Sequence, residues 1–448
     1  MPLDAATLAS LAAILPDRHS TRPADLAAVA GDASSLPPTR PDAVVWPLTT
    51  DEIVAIVKLA GASGIPLTAR GAGSSLEGNP IPVRGGIVLD CSRMTRVMSV
   101  RPEDLQVDVE PGVVYAALNR TLRPHGLFFP PSPGGSADVA TIGGMVANNA
   151  SGIYSVQYGG TRDHVRAATV VTGTGEVLRL GNRARKSASG YHLLGLIVGS
   201  EGTLGIVTEL TLALAGLPAA RRKGGFRFPD AASAARATAD LVRFGIDVAA
   251  IEFLDRPTVA ALNRFGDFAL AESPVLLLEV HGSQTGVAEA WHAATDVVVG
   301  AGGAPLDLDD PWRIREQATR AVEAQRPNAA TVRADVAIPI GALPALVAAC
   351  ERTAAERGLV VHVFGHAGIG ILHALVLANE AELPAAQAAR DALVEVALGL
   401  GGSCSGEHGM GLGNRHHAAR EHGPALALMQ GVKALFDPRG ILNPGKIW

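Results

Sequence analysis

The feature that most constrains this sequence is a polar, glycine-rich stretch between residues 129 and 152. Phe129-Pro130-Pro131-Ser132-Pro133-Gly134-Gly135-Ser136 leads to Ala140-Thr141-Ile142-Gly143-Gly144-Met145-Val146-Ala147-Asn148-Asn149-Ala150-Ser151-Gly152. An apolar core has no use for so many glycines, hydroxyls and amides. A large polar ligand laid along the backbone does, because a missing Cβ lets main-chain N–H groups approach it. Three other segments share this texture: Arg70-Gly71-Ala72-Gly73-Ser74-Ser75-Leu76-Glu77-Gly78, Tyr158-Gly159-Gly160-Thr161-Arg162-Asp163, and Gly199-Ser200-Glu201-Gly202-Thr203-Leu204-Gly205-Ile206-Val207-Thr208. Each read alone is an ordinary tight turn. The chain holds 51 glycines in 448 residues, well above the roughly 7% of an average protein.

Several classes are excluded. The first glycine loop has Leu76 where a dinucleotide fingerprint needs its third glycine, and it lacks the Gly-Lys-Ser/Thr of a P-loop. The formal charge is −5, and no basic block offers a phosphate-backbone footprint, so nucleic acid is not an expected partner. Cys91, Cys350 and Cys404 are far apart, with no C-x-x-C pair, which argues against a disulfide framework or a thiolate zinc site. Residues 1–20 carry Asp4 and Pro16 and no basic n-region, so no signal peptide is read there and the cytoplasm is the expected compartment. Residues 358–379 lack Asp, Glu, Lys and Arg, but contain His362, His366, His373 and four glycines. Imidazoles are costly in lipid, so this stretch reads as buried structure and not as a transmembrane segment.

Hydrophobic periodicity predicts an α+β chain of two lobes. Residues 43–47 read as a short strand, followed by a helix with Thr50 as N-cap and Ile53, Ile56, Val57 and Ala60 on one face. Strands are predicted at 66–69, 86–90, 105–110, 167–173 and 206–213, with a helix over 111–122. After about residue 216 the texture changes. Helices near 230–245, 286–299, 311–325, 341–356 and 384–399 alternate with strands near 274–280, 333–338 and 359–364.

In this order and spacing, the glycine-rich segments resemble the FAD-binding domain of the vanillyl-alcohol oxidase/p-cresol methylhydroxylase (PCMH) superfamily. The resemblance is strongest to its D-2-hydroxyacid dehydrogenase branch, which includes FAD-linked D-lactate dehydrogenase, the flavin subunit of glycolate oxidase and D-2-hydroxyglutarate dehydrogenase. The strings ATIGGMVANNASG, GSEGTLGIVTE and DPRGILNPGK carry it. It implies a PCMH-type FAD-binding domain over 1–216 and an α+β substrate or cap domain with an antiparallel sheet over 217–448, whose segment from about 405 to 448 returns to the flavin. By this resemblance Arg70, Gly71, Ala72, Gly73, Ser74, Ser75 and Gly78 wrap the FAD pyrophosphate. Pro131, Gly134, Gly135, Thr141, Gly144, Asn148, Ser151 and Gly152 line the ribityl and flavin side. Glu201, Gly205, Ile206 and Val207 meet the adenine half and the isoalloxazine through backbone, and Asn443 comes back to the flavin. No histidine stands in the first glycine loop, so FAD is expected to be non-covalent.

The last third is rich in histidine. Residues 361–366 and 371–377 read as the strands of a hairpin able to set His366 across from His373, while Ser405-Gly406-Glu407-His408-Gly409-Met410-Gly411 adds a carboxylate and another imidazole on a glycine-rich loop. Two histidines and one carboxylate suit a divalent metal with positions left open for substrate. The resemblance puts His366, His373 and Glu407 on the metal, with zinc favoured over manganese or iron, and His408 beside the substrate as base. His362, His416, His417 and His422 are read as structural or surface residues. The branch usually shows G-H-x-G-D-G-N-x-H; here Ile369 replaces Asp and Ile371 replaces Asn, so two polar supports become apolar. Leu375 stands where 2-hydroxyglutarate enzymes usually carry Asn, and the run from Leu372 to Leu377 looks more like the D-lactate members.

On the predicted helix 311–325, Arg315 and Thr319 are four residues apart and share a face. The resemblance makes them ligands of a substrate carboxylate, with Arg333 helping where a lysine is usual. The expected reaction is FAD-dependent, metal-assisted oxidation of a small D-2-hydroxy acid, D-lactate favoured. D-2-hydroxyglutarate and glycolate are the alternative substrates, and a non-catalytic electron-transfer flavoprotein subunit is the alternative role. A cytochrome, a quinone, an electron-transfer flavoprotein and oxygen are all open as acceptors, and a homodimer is among the open assemblies.

Overall fold

Short β-branched runs separated by an amphipathic helix build the first sheet. In the computed structural model, which describes residues 3–448, strands Ala43–Val45, Ile87–Asp90 and Leu67–Arg70 lie parallel, and His19–Ser20 adds an antiparallel edge. Residues 1 and 2 of the segment read for a leader lie outside the described residues. Helix Thr50–Ser63 connects the first and third of the parallel strands and buries Ile53, Ile56, Val57 and Ala60. Its N-cap is Thr49, not Thr50. The Thr49 hydroxyl accepts the Glu52 N–H at 3.2 Å, whereas Thr50 is already helical and turns its hydroxyl to Thr208. Gly64, at φ +65°, ends the helix.

Five antiparallel strands form the second sheet, in the order Val97–Arg101, Gln106–Val109, Ile206–Ala213, Val165–Val171, Val177–Gly181. Strand Ile206–Ala213 alternates buried and half-buried positions along its length, as the apolar/polar alternation of its residues requires. The predicted helix over 111–122 begins only at Tyr115, because Pro111 and Gly112 turn the chain first.

The chain divides into two units. One takes in residues up to Ser151, Gly160–Leu217 and His408–Trp448; the other takes in Gly152–Gly159 and Pro218–Glu407. The second unit is built on a seven-stranded antiparallel sheet in the order Ala304–Leu306, Ala220–Arg227, Val275–Gly282, Ala250–Leu254, Val361–Gly365, Ile371–Ala378, Ala330–Ala337. Residues 358–379 become a hairpin inside the sheet, its fifth and sixth strands, buried along both. Among the described residues, no helix is long and apolar enough to cross a membrane.

Register decides which side chains share a face of this sheet. Arg221 and Lys223 pair with His281 and Glu279, Ala250 with Glu279, Leu254 with Phe364, Phe364 with His373, and His373 with Asp335. Side chains alternate along strands and directly paired residues point the same way. One face therefore carries Glu279, His281, Glu252, Phe364, His373 and Asp335 in a band across five strands. Helix Pro311–Glu323 packs on that face, with Trp312, Ile314 and Ala318 against Leu254, Leu277, Phe364 and Leu375.

Candidate active site

In the first unit the glycine-rich segments converge. A Cβ on Gly71 would lie 2.2 Å from the Thr141 hydroxyl oxygen, so the first loop touches the start of helix Ile142–Asn148. Thr141 caps that helix by accepting the Gly144 N–H at 3.3 Å. The Glu201 N–H donates to the Ala147 carbonyl, and Gly202 lies against Ala69. Ile206 and Val207 open their strand in register with Val171 and Val170, while a Cβ on Gly205 would lie 2.4 Å from Val170. Asn443 donates to the carbonyls of Asn79 and Glu201, at 3.0 and 2.7 Å.

The wall that results is mostly backbone. Ala72, Gly135 and Gly144 are exposed, Ser74 and Ser151 are half-buried, Pro131 is buried, and the space beside Gly134 and Gly135 is open. Long polar ligands with phosphate oxygens are held by such uncovered amides, so the residues present fit FAD. Three of the expected residues are otherwise engaged. Ser75 donates to Asp32 at 2.8 Å, and the Gly78 N–H to the same carboxylate at 2.8 Å. Arg70 donates to the Gly31 carbonyl at 2.7 Å, and its guanidinium curls under Gly73. Asp32 therefore shapes the loop, a role the sequence did not reveal. Gly152 falls in the second unit, its N–H donated to Ser155.

Residues 408–411 are held in the first unit by one buried carboxylate. Glu201 accepts from Met410 N at 2.6 Å, Gly411 N at 2.9 Å and Asn79 Nδ2 at 2.7 Å. Burial pushes the Glu201 carboxyl above its ordinary value against the pull of these donors. The His408 carbonyl accepts from Asn148 at 3.2 Å and from Asn79 at 3.4 Å. The backbone of His408 is thus anchored independently of its imidazole.

The second unit gathers the expected metal ligands. Glu407 Oε1 lies 3.4 Å from His366 Nε2 and 3.5 Å from His373 Nε2, with the two rings edge-on at 5.6 Å. Two ligands ~2.1 Å from one ion at a tetrahedral angle sit ~3.4 Å apart, so the donor set fits a divalent cation. The other nitrogen of each ring meets a carboxylate. His366 Nδ1 is 2.7 Å from Glu252 and His373 Nδ1 is 3.2 Å from Asp335. The His366–Glu252 hydrogen bond fixes the tautomer and direction of that ring, leaving its Nε2 for the ion, while Asp335 places negative charge beside the His373 ring. Burial disfavours a charged His366, but Glu252 and Glu407 outweigh it and hold the imidazole at about 10; the site therefore draws positive charge. Asp335 also accepts the Glu407 N–H at 2.8 Å.

Neither Glu252 nor Asp335 was singled out from sequence. A signal existed for Glu252, a lone carboxylate inside the apolar run Ala250-Ile251-Glu252-Phe253-Leu254, since charges are rarely buried without partners. Ile371, in place of the usual Asn, packs beside Gly406: a Cβ there would lie 2.9 Å from both Ile371 and Asp335. Arg315 donates through Nε to Glu252 at 2.5 Å and lies over the Phe364 ring. Its terminal nitrogens are not part of that bond. Thr319 is half-buried one turn on. Arg333 is paired with Glu323, so a substrate carboxylate would share it.

Comparison with known proteins places the chain in a family. Residues 41–181 match the family described as FAD binding domain, and residues 217–447 match FAD linked oxidases, C-terminal domain. The zebrafish (Danio rerio) protein named probable D-lactate dehydrogenase, mitochondrial, is 36% identical over 421 residues, covering 91% of this chain and 84% of the relative. Glycolate oxidase subunit GlcD of Bacillus subtilis is 32% identical over 428 residues, covering 93% and 91%. Among solved structures, p-cresol methylhydroxylase with substrate bound superposes with a TM-score of 0.82 at 18% identity, covering 99% of this chain and 96% of that one. That likeness shows the PCMH-type fold.

Proposed function

The chain belongs to the FAD-linked oxidases, and from that premise we propose that it oxidises a small D-2-hydroxy acid, D-lactate favoured, to the 2-oxo acid. The observation that carries this reading is the donor set of His366, His373 and Glu407, with Arg315 held by the same Glu252 that orients His366. An acid-binding arginine and a Lewis-acid site are what a 2-hydroxy acid needs at its two oxygen-bearing carbons.

The uncovered backbone around Gly71, Gly73, Thr141 and Gly144 would hold FAD, which would supply the hydride acceptor for the C2 hydrogen. His366, His373 and Glu407 would hold a divalent metal, zinc favoured, which would supply Lewis acidity toward the substrate hydroxyl. The residues supply the rest. The Arg315 fork binds the substrate carboxylate, with Thr319 one turn along and Arg333 assisting. His408 accepts the hydroxyl proton as the carbonyl forms. Glu252 keeps the His366 imidazole in the tautomer that offers Nε2, and the Asp335 carboxylate stands beside His373.

Glycolate is the second reading, supported by the GlcD relatives. A purely electron-transferring subunit is disfavoured by retention of all three ligands together with their carboxylate supports. The test is anaerobic stopped-flow mixing of the FAD- and metal-loaded protein with D-lactate, glycolate and D-2-hydroxyglutarate, with and without chelator. Flavin bleaching by D-lactate that chelator suppresses is the expected result. No bleaching by any D-2-hydroxy acid would sink the proposal.

A further inference from the structure

A second buried carboxylate lies on the sheet face that carries the metal ligands, and neither ligand set uses it. Glu279 sits on the strand next to Glu252, opposite Ala250, and has no solvent exposure. Trp312 Nε1 donates to its Oε2, as does the Tyr154 hydroxyl at 3.3 Å, and His281 Nε2 meets its Oε1 at 2.7 Å. His281 Nδ1 in turn meets the Tyr158 hydroxyl at 2.9 Å. Trp312 and Arg315 are three residues apart on helix Pro311–Glu323 and so share a face. Two glutamates on adjacent strands therefore grip one turn of one helix, Glu279 through Trp312 and Glu252 through Arg315.

We infer that Glu279 is a positioning residue: it fixes the helix through Trp312 so that the Arg315 guanidinium stands where a substrate carboxylate meets it. This rests on the reading of Arg315 as the carboxylate ligand. Glu252 alone constrains only the tip of a long, flexible side chain. A second grip one turn earlier constrains the helix from which that side chain projects. An apolar set replacing Glu279 together with its polar partners would pack the helix at comparable stability, since buried ionic groups are weak sources of it. A carboxylate adds direction. It cannot shift without stranding Trp312, Tyr154 or His281, and a stranded buried donor is costly.

The test uses the full-length, FAD- and metal-loaded protein. Glu279→Gln keeps shape and one acceptor oxygen, and Trp312→Phe keeps ring bulk and deletes only the donor. Flavin reduction is followed against D-lactate concentration. Each variant should raise the half-saturating concentration about tenfold, the weight of one hydrogen bond to a charged group, with the limiting rate within about twofold and FAD content unchanged. Because the two residues form one contact, the double variant should be no worse than the worse single variant. Normal half-saturation in both variants, additive losses, or an effect confined to the limiting rate or to FAD content overturns the inference. If wild type is bleached by D-lactate and the variants saturate normally, only the Glu279 role falls. If no D-2-hydroxy acid bleaches wild type, the substrate reading falls and this role falls with it.

Discussion

His366 Nδ1 lies 2.7 Å from Glu252 Oε1, and Glu252 Oε2 accepts from Arg315 at 2.5 Å, so one buried carboxylate orients both a histidine proposed for the metal and the arginine proposed for the substrate. Removing its charge should act at both ends. Glu252→Gln is expected to weaken metal retention by about 10–100-fold, the usual effect of losing a partner behind a ligand histidine. Metal content after graded chelator exposure, read by elemental analysis, checks this. Retention equal to wild type would show that His366 is oriented by something else.

Gly406 gives a second handle on the same site from the opposite side. A methyl group there would lie 2.9 Å from both Asp335 and Ile371. Asp335 cannot retreat freely, because it accepts the Glu407 N–H and borders His373. Gly406→Ala should therefore displace the Glu407 backbone. Overpacking of this kind costs about 1–3 kcal/mol, and metal retention should fall along with the midpoint of denaturation. A variant with wild-type metal content and midpoint would mean that the loop has slack.

These two positions show what sequence could and could not tell. The proposed ligands His366, His373 and Glu407 stood out because their chemistry is local: two histidines flank one turn, and a carboxylate sits in a glycine loop. Glu252 lies 114 residues before His366 and reaches it only through the register of Ala250–Leu254 with Val361–Gly365. Asp335 likewise meets His373 across a strand pair. The replacement of two expected polar residues by Ile369 and Ile371 looked like a loss of support, yet carboxylates from neighbouring strands stand behind both ligand rings. Strands Ala220–Arg227 and Ala250–Leu254 went unread because the first is mostly basic and glycine and the second is buried on both faces, which removes the alternation that marks a strand. The glycine-rich segments were legible because backbone that must stay uncovered cannot carry large side chains.

Lys446 offers a prediction about pH. Its ammonium is buried, donating to the Ile81 carbonyl at 2.5 Å and to Asn443 at 3.1 Å. Burial lowers its pKa from 10.5 to about 8, against the opposing pull of Glu201. Between those values the unfolded chain keeps a proton that the folded chain has released. The Lys446 contribution to stability therefore rises with pH across that window and is least favourable below about 8. Urea denaturation of wild type and Lys446→Met at about pH 7.5 and about pH 9.5 isolates it. The wild type should gain on the variant as pH rises; a constant difference would mean that the amine titrates as it does in water.

His408 can be tested without disturbing its loop, because the loop is held by main chain. The His408 carbonyl accepts from Asn148 and Asn79, and the following amides of Met410 and Gly411 donate to Glu201. None of these contacts needs the imidazole. His408→Ala should keep FAD bound, as judged by the flavin-to-protein absorbance ratio. If the imidazole takes the hydroxyl proton, the rate of flavin reduction by D-lactate should fall by about 10²–10⁴-fold, the range general base catalysis contributes. The half-saturating concentration should change far less, since the carboxylate is assigned to Arg315. Added imidazole, a base of the same chemistry and small enough to fill the deleted volume, should restore part of the rate in the variant and none in wild type. Loss of FAD would instead give the side chain a structural role, and a normal rate would move the base elsewhere.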